Sequence, residues 1–242
     1  MTSPDLSVVF PVFNEAESIP ILLDEIRAAL DPRPWSYEIV AVDDGSRDGS
    51  LELLRSLSVR HPMLRVLRLD RNHGQTAALD AGWRASRGRL VVSLDADLQN
   101  DPSDVPGMIE KLEREGLDMV IGIRVDRKDP WAKRAQSRIG NSVRNWITGD
   151  HITDTGCSLK LLRRECVERV RLFQGMHRFL PTLVRGEGYT VAEMPVRHRA
   201  RRFGESKYGA MDRAFRGLAD CFAVRWMATR NLRYEVEEVR SE

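Results

Sequence analysis

Two carboxylates separated by one residue, Asp95 and Asp97, follow an apolar run at residues 90–94. If that run is a β-strand that continues through the pair, side chains two positions apart point to the same side, and both carboxylates can face one cation. Oxygen ligands suit a hard ion such as Mg²⁺ or Mn²⁺, and so small a ligand set leaves coordination positions open for the phosphates of a substrate. Taken alone, however, an Asp-x-Asp pattern is more typical of a polar turn than of a metal site.

The elements that position this pair are visible in the surrounding sequence. Apolar runs rich in β-branched residues alternate along the chain with segments of helical periodicity. The apolar runs occupy residues 6–10, 37–42, 64–69, 90–94 and 118–123. Strands that alternate with helices of about 10–15 residues predict an α/β fold with a doubly wound, mostly parallel sheet and helices on both faces.

Polar clusters follow the first four apolar runs. They are Asn14 and Glu15, Asp43 and Asp44, Asn72 to Gln75, and Asp95 to Asp97. In an open parallel sheet the ligand crevice lies beyond the carboxyl ends of the strands. Any one cluster is explained by a turn, but four clusters on one edge predict a binding site that contains the acidic pair.

The composition fits one large domain, or a domain with an appendage, in a reducing cytoplasm. The chain has 242 residues, and its 3 cysteines lack metal-ligand spacing. The N-terminus does not resemble a secretion signal, and no run approaches the ~18 apolar residues of a membrane span, so we expect a soluble or peripheral protein.

A net charge of +2 argues against nucleic-acid binding. Two basic stretches, residues 124–144 and 197–216, favour an anionic substrate.

Two common nucleotide-binding motifs are missing from the sequence. The chain has no G-x-G-x-x-G and no G-x-x-x-x-G-K-[ST]. A dinucleotide-dependent dehydrogenase and a P-loop enzyme are therefore disfavoured. A site that holds a diphosphate with carboxylates and a metal remains.

A series of motifs gives a more specific indication. They are VVFPVFNEAESI, EIVAVDDGSRDGS, NHGQTAALDAG, LDADLQNDP, GIR at residues 122–124, TDTGCSLK and RFGESKYG. Together they resemble a family-two glycosyltransferase of the GT-A fold, and more narrowly the branch of dolichyl-phosphate mannose synthases and bacterial polyprenyl-phosphate glycosyltransferases. Pro-x-x-Asn-Glu and Asp-Asp-Gly-Ser are typical of the whole superfamily, whereas DADLQ with the late GESKYG is typical of the lipid-phosphate branch. The motifs extend from Val8 to Gly209.

The resemblance implies a set of residues that bind the donor nucleotide and its metal. They are Pro11, Phe13, Glu15, Asp43, Asp44, Asp95, Ala96, Asp97, Gln99, Arg124, Arg201 and Lys207. The members before residue 45 would hold the base and ribose, through one of the two adjacent aspartates. Asp95 and Asp97 would bind Mg²⁺ or Mn²⁺ at the diphosphate, and Arg124, Arg201 and Lys207 would meet phosphate charge. Asp97, Arg124 and Lys207 are the predicted catalytic residues.

The sequence departs from the family pattern in two places. Phe13 stands where many relatives carry tyrosine, so a hydroxyl contact is lost while stacking is kept. Many bacterial relatives also append transmembrane helices, and we expect none in this chain.

The second half of the chain predicts amphipathic helices and a basic loop. A helix over residues 129–148 carries an apolar stripe and a basic face with Arg144, which fits either core packing with a solvated face or a surface near anionic lipid. Residues 155–162 are expected to form a strand or extended loop beside the donor. The loop at residues 204–209 fits a flexible turn or a clamp for an acceptor phosphate, and its cations favour the clamp.

We predict a division into a glycosyltransferase domain, residues 1–208, and a C-terminal amphipathic helix and tail, residues 209–242, which contact a membrane or partner. One stripe of that helix is apolar and fits either an interfacial anchor or core packing. The stripe consists of Met211, Phe215, Leu218, Phe222 and Trp226. Residues 232–236 alternate in polarity, which predicts an edge strand or a partner-binding tail.

The predicted reaction is metal-dependent transfer of a sugar from a nucleoside diphosphate sugar to a polyprenyl monophosphate, either dolichyl or undecaprenyl. A phosphate monoester with a second pKa near ~6 is largely dianionic at neutral pH, so no dedicated base is needed. Inversion at the anomeric carbon is implied by the resemblance alone. Two alternatives stay open: a glycosyltransferase that acts on a saccharide or protein hydroxyl, and a non-catalytic subunit that keeps the fold.

The predicted partners follow from this reaction. They are the sugar nucleotide, the polyprenyl phosphate, and a membrane surface or small membrane protein at the cytoplasmic face, with a homo-oligomer as an open alternative and no nucleic acid. The sequence leaves open which sugar is transferred and whether the base is uracil or guanine.

Overall fold

A computed structural model describes residues 3–125, 131–203 and 210–230, with side chains except at 131–139 and 210–216. The strands of this part are β1 (Leu6–Val12), β2 (Tyr37–Asp43), β3 (Leu64–Arg68), β4 (Leu90–Ser93), β5 (Met119–Arg124), β6 (Lys160–Arg163) and β7 (Val191–Val196). The α-helices are α1 (Ile19–Leu30), α2 (Ser50–Arg60), α3 (Gln75–Ala85), α4 (Val105–Arg114), α5 (Trp131–Thr148), α6 (Arg164–Arg169), α7 (Leu180–Gly186) and α8 (Ala210–Thr229).

The described strands form one sheet in the order β3-β2-β1-β4-β6-β5-β7. β1 pairs in parallel with β2 and β4, β2 with β3, and β5 with β7. β6 runs antiparallel to both of its neighbours, β4 and β5. β6 is therefore the one reversed strand of the described sheet, and the predicted mostly parallel α/β architecture is confirmed.

Alternation within the strands explains why helices cover both faces. In β1, Leu6, Val8 and Phe10 belong to a core that α1 and α4 cover, whereas Val9 points into a second core with α3 and α7. Successive side chains of a strand point to opposite faces, so a continuous apolar run is buried on both sides. The parallel strands then place their carboxyl ends at one edge of the sheet.

The acidic pair does not lie on a strand. β4 ends at Ser93, and the chain turns through Leu98, which is buried and has a φ of 62°. The expectation that strand alternation aligns Asp95 with Asp97 is therefore wrong. The two carboxylates are positioned by a turn whose backbone is in the left-handed region, a conformation that costs a non-glycine residue about 1–2 kcal/mol.

The predicted helix in the second half is found as α5, but Arg144 of its predicted basic face does not lie in solvent. Arg144 is buried, and its guanidinium donates to the Thr155 hydroxyl and, at 3.1 Å, to the carbonyl of Ile152. Burial lowers the pKa of Arg144. This side chain therefore fastens the loop before β6 to α5, and the prediction that it faces solvent is wrong.

α8 packs against the same region through a small core. Its inward residues are Cys221 and Val224, which contact Ile147 of α5 and Met176 and Phe179 of a short 3-10 helix. The division proposed between residues 208 and 209 stays a prediction. The predicted clamp at 204–209 and tail at 232–236 lie outside the described residues. Among the described helices, none combines the length and apolarity that crossing a membrane requires.

Candidate active site

A cleft of about 330 Å³, here called the main cleft, opens where β1, β2 and β4 end. Its wall includes all the sequence-predicted donor-site residues except Asp43 and Lys207. Asp43 lines a neighbouring cavity of about 580 Å³ that shares Phe13 with the main cleft. Lys207 lies outside the described residues. The structure therefore brings most of the predicted set to one place, as expected for the carboxyl edge of a parallel sheet.

Asp97 is the more enclosed of the two acidic residues, with 4% of its surface exposed. Its Oδ1 accepts a hydrogen bond from the Gln99 backbone N–H at 3.1 Å, and its Oδ2 accepts one from Arg201 Nη2 at 2.7 Å. Asp95 is half-buried, and its Oδ1 accepts a hydrogen bond from Gln75 Nε2 at 2.7 Å. Both carboxylates are thus held by specific donors at the cleft wall.

The electrostatics of the pair fit a divalent cation. Burial, and then the negative charge of Asp97, raise the pKa of Asp95 to about 6. A cation between the carboxylates would relieve this repulsion, and carboxylate oxygens are ligands that Mg²⁺ and Mn²⁺ prefer. The described residues contain no group of three or more His, Cys, Asp or Glu arranged for a metal. A metal held by this pair would therefore take further ligands from substrate or water.

Asp43 and Asp44 have different surroundings. The Asp44 carboxylate accepts hydrogen bonds from the backbone N–H of His73 at 2.7 Å and of Gly74 at 2.9 Å, so it fixes the loop after β3. Asp43 is fully buried, and its Oδ2 has no hydrogen-bond partner in the described part of the protein. Such an orphaned acceptor is costly unless a ligand satisfies it. Asp43 is therefore the better candidate of the two for a nucleotide contact.

The turns that carry these residues are fastened to one another. Asn14, at the end of β1, has a φ of 56° and accepts a hydrogen bond from the Arg47 backbone N–H at 2.8 Å. Gly45 has a φ of 74°, and a Cβ at this position would lie 2.7 Å from the backbone nitrogen of Asn72. The Asp-Asp-Gly-Ser sequence thus allows the loops after β1, β2 and β3 to approach closely.

Arg124 has a partner that the sequence did not indicate. Its Nε and Nη2 donate to the Asp154 carboxylate at 2.7 and 2.8 Å, a bidentate ion pair. A Cβ at Gly156 would lie 2.7 Å from Arg124 Nη2, so the glycine leaves room for the guanidinium. The TDTGCSLK motif carried this signal, because its Asp, Asp154, pairs with Arg124 and its Gly, Gly156, leaves room for the guanidinium.

Ion pairs also place the basic segment that follows β7. Arg199 donates to Glu25 Oε1 at 2.6 Å and lies 2.7 Å from Asp101 Oδ2, while its backbone N–H donates to the Gln99 carbonyl at 2.9 Å. These contacts lock the segment against the turn that contains Asp97. Arg201, two residues further on, is thereby brought to the main cleft.

A smaller cavity of about 130 Å³, here called the side pocket, adjoins the main cleft. The two share Gln75, Asp95, Gly156 and Arg178. Residues 155–162 are the segment expected beside the donor, and four of them line the side pocket. The pocket itself could not be predicted, because the helical pattern around Leu79 and Trp83 on its other side indicates only core positions.

Burial shifts the pKa of two titratable groups of the side pocket. Lys160 is buried, and desolvation lowers the pKa of its ammonium group. His177 Nδ1 lies 2.7 Å from the Thr76 hydroxyl. Burial lowers the pKa of His177 to about 3, so its imidazole is neutral at pH 7.

The sheet order and the acidic cleft at the strand ends define an α/β protein of the GT-A glycosyltransferase type. The family model described as glycosyl transferase family 2 matches residues 7–171, and the chain belongs to this family. The resemblance inferred from the motifs is thereby confirmed, as is the enzyme class.

Curated relatives agree on the class of acceptor in their names. Dodecaprenyl-phosphate galacturonate synthase of Rhizobium johnstonii is 42% identical over 226 residues, which cover 92% of this chain and 67% of the relative. Undecaprenyl-phosphate 4-deoxy-4-formamido-L-arabinose transferase of Aeromonas hydrophila is 40% identical over 207 residues, covering 85% and 63%. The same-named transferase of Pseudomonas aeruginosa is 43% identical, covering 85% and 61%. The chain thus spans about two thirds of the length of these relatives or slightly less.

Solved structures confirm the fold. The mannosyltransferase PcManGT of Pyrobaculum calidifontis, in complex with GDP-Man and Mn²⁺, matches with a TM-score of 0.68 at 23% identity, covering 97% of this chain and 67% of that one. Glucosyl-3-phosphoglycerate synthase of Mycobacterium tuberculosis, in complex with Mg²⁺ and UDP, matches with a TM-score of 0.68 at 20% identity, covering 91% and 80%.

Proposed function

We propose that this protein transfers a sugar from a nucleoside diphosphate sugar to a polyprenyl monophosphate, with a divalent metal and with inversion at the anomeric carbon. The observation that carries the proposal is the pair Asp95 and Asp97 at the wall of the main cleft, with Arg201 hydrogen-bonded to Asp97. The names of the relatives, each a polyprenyl-phosphate sugar transferase or synthase, support the choice of acceptor.

The donor is assigned to the main cleft and the cavity beside it. Phe13 lines both spaces and offers a ring on which a base stacks, and the buried Oδ2 of Asp43 is available to accept a hydrogen bond from the base. Asp95 and Asp97 would hold Mg²⁺ or Mn²⁺. When bound, this ion supplies Lewis-acid stabilisation of the charge on the departing diphosphate.

The acceptor requires cations more than it requires a base. Its phosphate monoester is already largely dianionic at neutral pH, because its second pKa is near ~6. Arg201 borders the main cleft with a side chain that is 30% exposed, so it can meet a phosphate that arrives from solvent. The proposal assigns Arg201 and Lys207 to the acceptor phosphate. Arg124, held by Asp154, would contribute positive potential at the diphosphate.

The acceptor implies that the protein works at a membrane, and α8 supports docking at a lipid surface. The members of its apolar stripe whose side chains the structure describes point outward, because Leu218, Phe222 and Trp226 are 43%, 60% and 61% exposed while Cys221 and Val224 pack into the core. Arg225 and Arg230 are exposed beside the stripe. Aromatic side chains flanked by cations are typical of helices at the interface of anionic bilayers.

We assign the docking to the cytoplasmic face of the membrane. The three cysteines of the chain are free, which fits a reducing compartment.

The reaction is tested with purified protein, labelled sugar nucleotides, Mn²⁺ and polyprenyl phosphate. The expected result is label in the organic phase that depends on the metal and on the acceptor phosphate. Polyprenyl alcohol is the matched control, since it offers a hydroxyl on the same chain. Transfer to the alcohol or to free saccharides, with none to the phosphate, would overturn the proposal.

A further inference from the structure

The side pocket extends from the place where the metal-binding pair lies. It shares Asp95, Gln75 and Arg178 with the main cleft, and it reaches inward to Lys160 on β6 and Trp83 on α3. With a volume of about 130 Å³ it can hold several non-hydrogen atoms of a ligand, since a single water needs about 10–15 Å³ by this measure. A group attached to a diphosphate at Asp95 is therefore in reach of the pocket.

Lys160 is an unusual residue to find in such a place. It is 5% exposed, and its Nζ donates to the carbonyl oxygen of Cys157. No carboxylate lies within the 4.0 Å of an ion pair with Lys160 in the described part of the chain. A buried ammonium group without a direct ion pair costs several kcal/mol, and desolvation accordingly lowers the pKa of Lys160 although the charges of Asp95 and Asp154 oppose this shift. Its position in the wall of an open pocket points to an anionic partner that comes from outside the protein.

A second residue of the same wall, Trp83, carries a donor that is unsatisfied in the described structure. Trp83 is 4% exposed, and its Nε1–H makes no hydrogen bond within the described residues. Buried indole N–H groups are normally paired, so an unsatisfied one in a residue of the pocket wall favours a ligand that accepts hydrogen bonds. Arg178 adds a guanidinium where the side pocket meets the main cleft. Three donors, two of them cationic, thus surround one small space.

The acidic group nearest to these donors belongs to the metal-binding pair. Asp95 is the one carboxylate among the described residues that line the side pocket. Its oxygen accepts a hydrogen bond from Gln75 Nε2 at 2.7 Å. The interior of the pocket is therefore electropositive, while its mouth carries the carboxylate assigned to the metal.

Resting on the proposed function, we infer that the side pocket receives a carboxylate group of the donor sugar, so that the preferred donors are nucleotide-linked uronic acids. The sugar is bonded to the diphosphate, and a carboxylate on the far side of its ring would reach Lys160 and the Trp83 Nε1–H. A neutral sugar of the same stereochemistry would leave the Lys160 ammonium group without a direct ion pair and the Trp83 Nε1–H without an acceptor. A site built around buried polar groups rejects an analogue that fails to pair them far more strongly than an apolar site does.

Binding of matched nucleotide sugars tests this inference. Calorimetry with Mn²⁺ would compare UDP-galacturonic acid with UDP-galactose, UDP-glucuronic acid with UDP-glucose, and GDP-mannuronic acid with GDP-mannose. At least one acid is expected to bind about 10- to 100-fold more tightly than its neutral partner. Equal or tighter binding of the neutral sugar in every pair overturns the inference.

Variants assign the preference to the pocket. Lys160→Met removes the charge at similar length and is expected to abolish the preference, with binding of the free nucleoside diphosphate unchanged. Trp83→Phe keeps the ring and removes the donor, and it should reduce the preference if Lys160→Met does not fold. The matched control Lys111→Met, on α4 beside Glu115, should keep the preference. A preference retained in both pocket variants contradicts the inference.

The proposed function and the inference fail in different ways. If neither UDP, GDP nor any sugar nucleotide binds with metal, both are wrong. If the nucleotides bind and the acids have no advantage, only the assignment of the side pocket is wrong.

Discussion

Asp97 Oδ2 accepts a hydrogen bond from Arg201 Nη2 at 2.7 Å, across 104 residues of sequence. The contact joins the acidic turn after β4 to the basic segment after β7. A carboxylate has two oxygens with about four lone-pair positions, so Asp97 can hold the guanidinium and still offer an oxygen to a cation. The same contact therefore positions the positive charge that we assign to the acceptor phosphate and the negative charge that we assign to the metal.

Asp97→Asn is expected to remove the metal dependence of donor binding. The amide keeps the shape of the side chain, but it loses the charge that a divalent ion requires. A nucleoside diphosphate is expected to raise the melting temperature of this variant equally with and without Mn²⁺. Transfer should fall more than ~100-fold, which corresponds to about 2.7 kcal/mol in the activation barrier. Asp104→Asn is the control, because Asp104 pairs with Arg197 away from the cleft wall. An unchanged response to Mn²⁺ would remove Asp97 from the site.

Arg201→Ala is expected to weaken the use of the phosphate acceptor. Removal of the guanidinium takes positive charge from the place where two anionic substrates meet. The ratio kcat/KM for polyprenyl phosphate should fall by about 10- to 100-fold, and Arg201→Lys should recover part of the loss. Arg202→Ala, at the exposed neighbouring position, should have little effect. If the Arg202 variant loses as much activity, general surface charge explains the effect.

The fold and the edge that carries the site could be predicted from the sequence because both depend on repeated local patterns. Alternating apolar runs and helical segments define a parallel sheet, and the polar clusters follow the strand ends. The turn at Leu98 could not be predicted, since a buried leucine with positive φ has no local signature. The apolar run predicts a strand up to Leu94, and only the three-dimensional structure shows that the strand ends at Ser93 and that Asp97 lies in a turn.

Long-range pairing sets the other limit on prediction from sequence. Arg124 has the charge and the N–H donors of a phosphate-binding residue. Its bidentate partner Asp154 lies 30 residues away and becomes visible only in the folded chain. Arg144 has the helical position of a solvated basic face, yet the loop before β6 covers it. Lys160 belongs to the TDTGCSLK motif, but its burial in the wall of a pocket that Trp83 of α3 also lines becomes visible only in the folded chain.

Gly45→Ala is expected to destabilise the loops that border the nucleotide cavity. The residue has a φ of 74°, and a new Cβ would lie 2.7 Å from the Asn72 backbone nitrogen, so strain and collision add together. We expect a loss of about 1–3 kcal/mol in the free energy of unfolding. Gly140→Ala, in α5 with open space around the new methyl group, should be neutral or stabilising by about 0.5–1 kcal/mol. Urea denaturation of both variants checks the difference, and equal stability of the two would contradict the close approach.

Ionisation of Glu38 is expected to make the free energy of unfolding smaller in acid than at neutral pH. Burial raises the pKa of this carboxyl, but hydrogen bonds from the Ser7 hydroxyl, the Arg65 guanidinium and the Arg87 backbone N–H outweigh burial and hold the pKa below its usual value. A group whose pKa is lowered by folding stabilises the protein above its unfolded pKa, and that contribution is lost as the pH falls through the folded pKa.

The Glu38→Gln variant isolates this contribution. At pH 7 it should lose about 1–3 kcal/mol of unfolding free energy, and the gap to the wild type should shrink below about pH 4. Glu52→Gln on the exposed side of α2 is the control. A gap that is independent of pH would show that packing, and not ionisation, explains the loss.

Trp226 and Phe222 are expected to anchor the protein on anionic membranes. Both rings are about three-fifths exposed on the outer side of α8, and the Arg230 guanidinium lies 5.6 Å from the centre of the Trp226 ring. Removal of both rings by Phe222→Ser and Trp226→Ser should reduce flotation with vesicles that contain phosphatidylglycerol, because the apolar contribution to docking is lost.

The fold should be kept, since Cys221 and Val224 supply the packing of α8. Val59→Ser, at an apolar site on α2 that is 84% exposed, is the control. Transfer to a short water-soluble polyprenyl phosphate should be unchanged in the double variant, which separates docking from chemistry. Flotation that is unaffected by loss of both rings would show that α8 is not the docking surface.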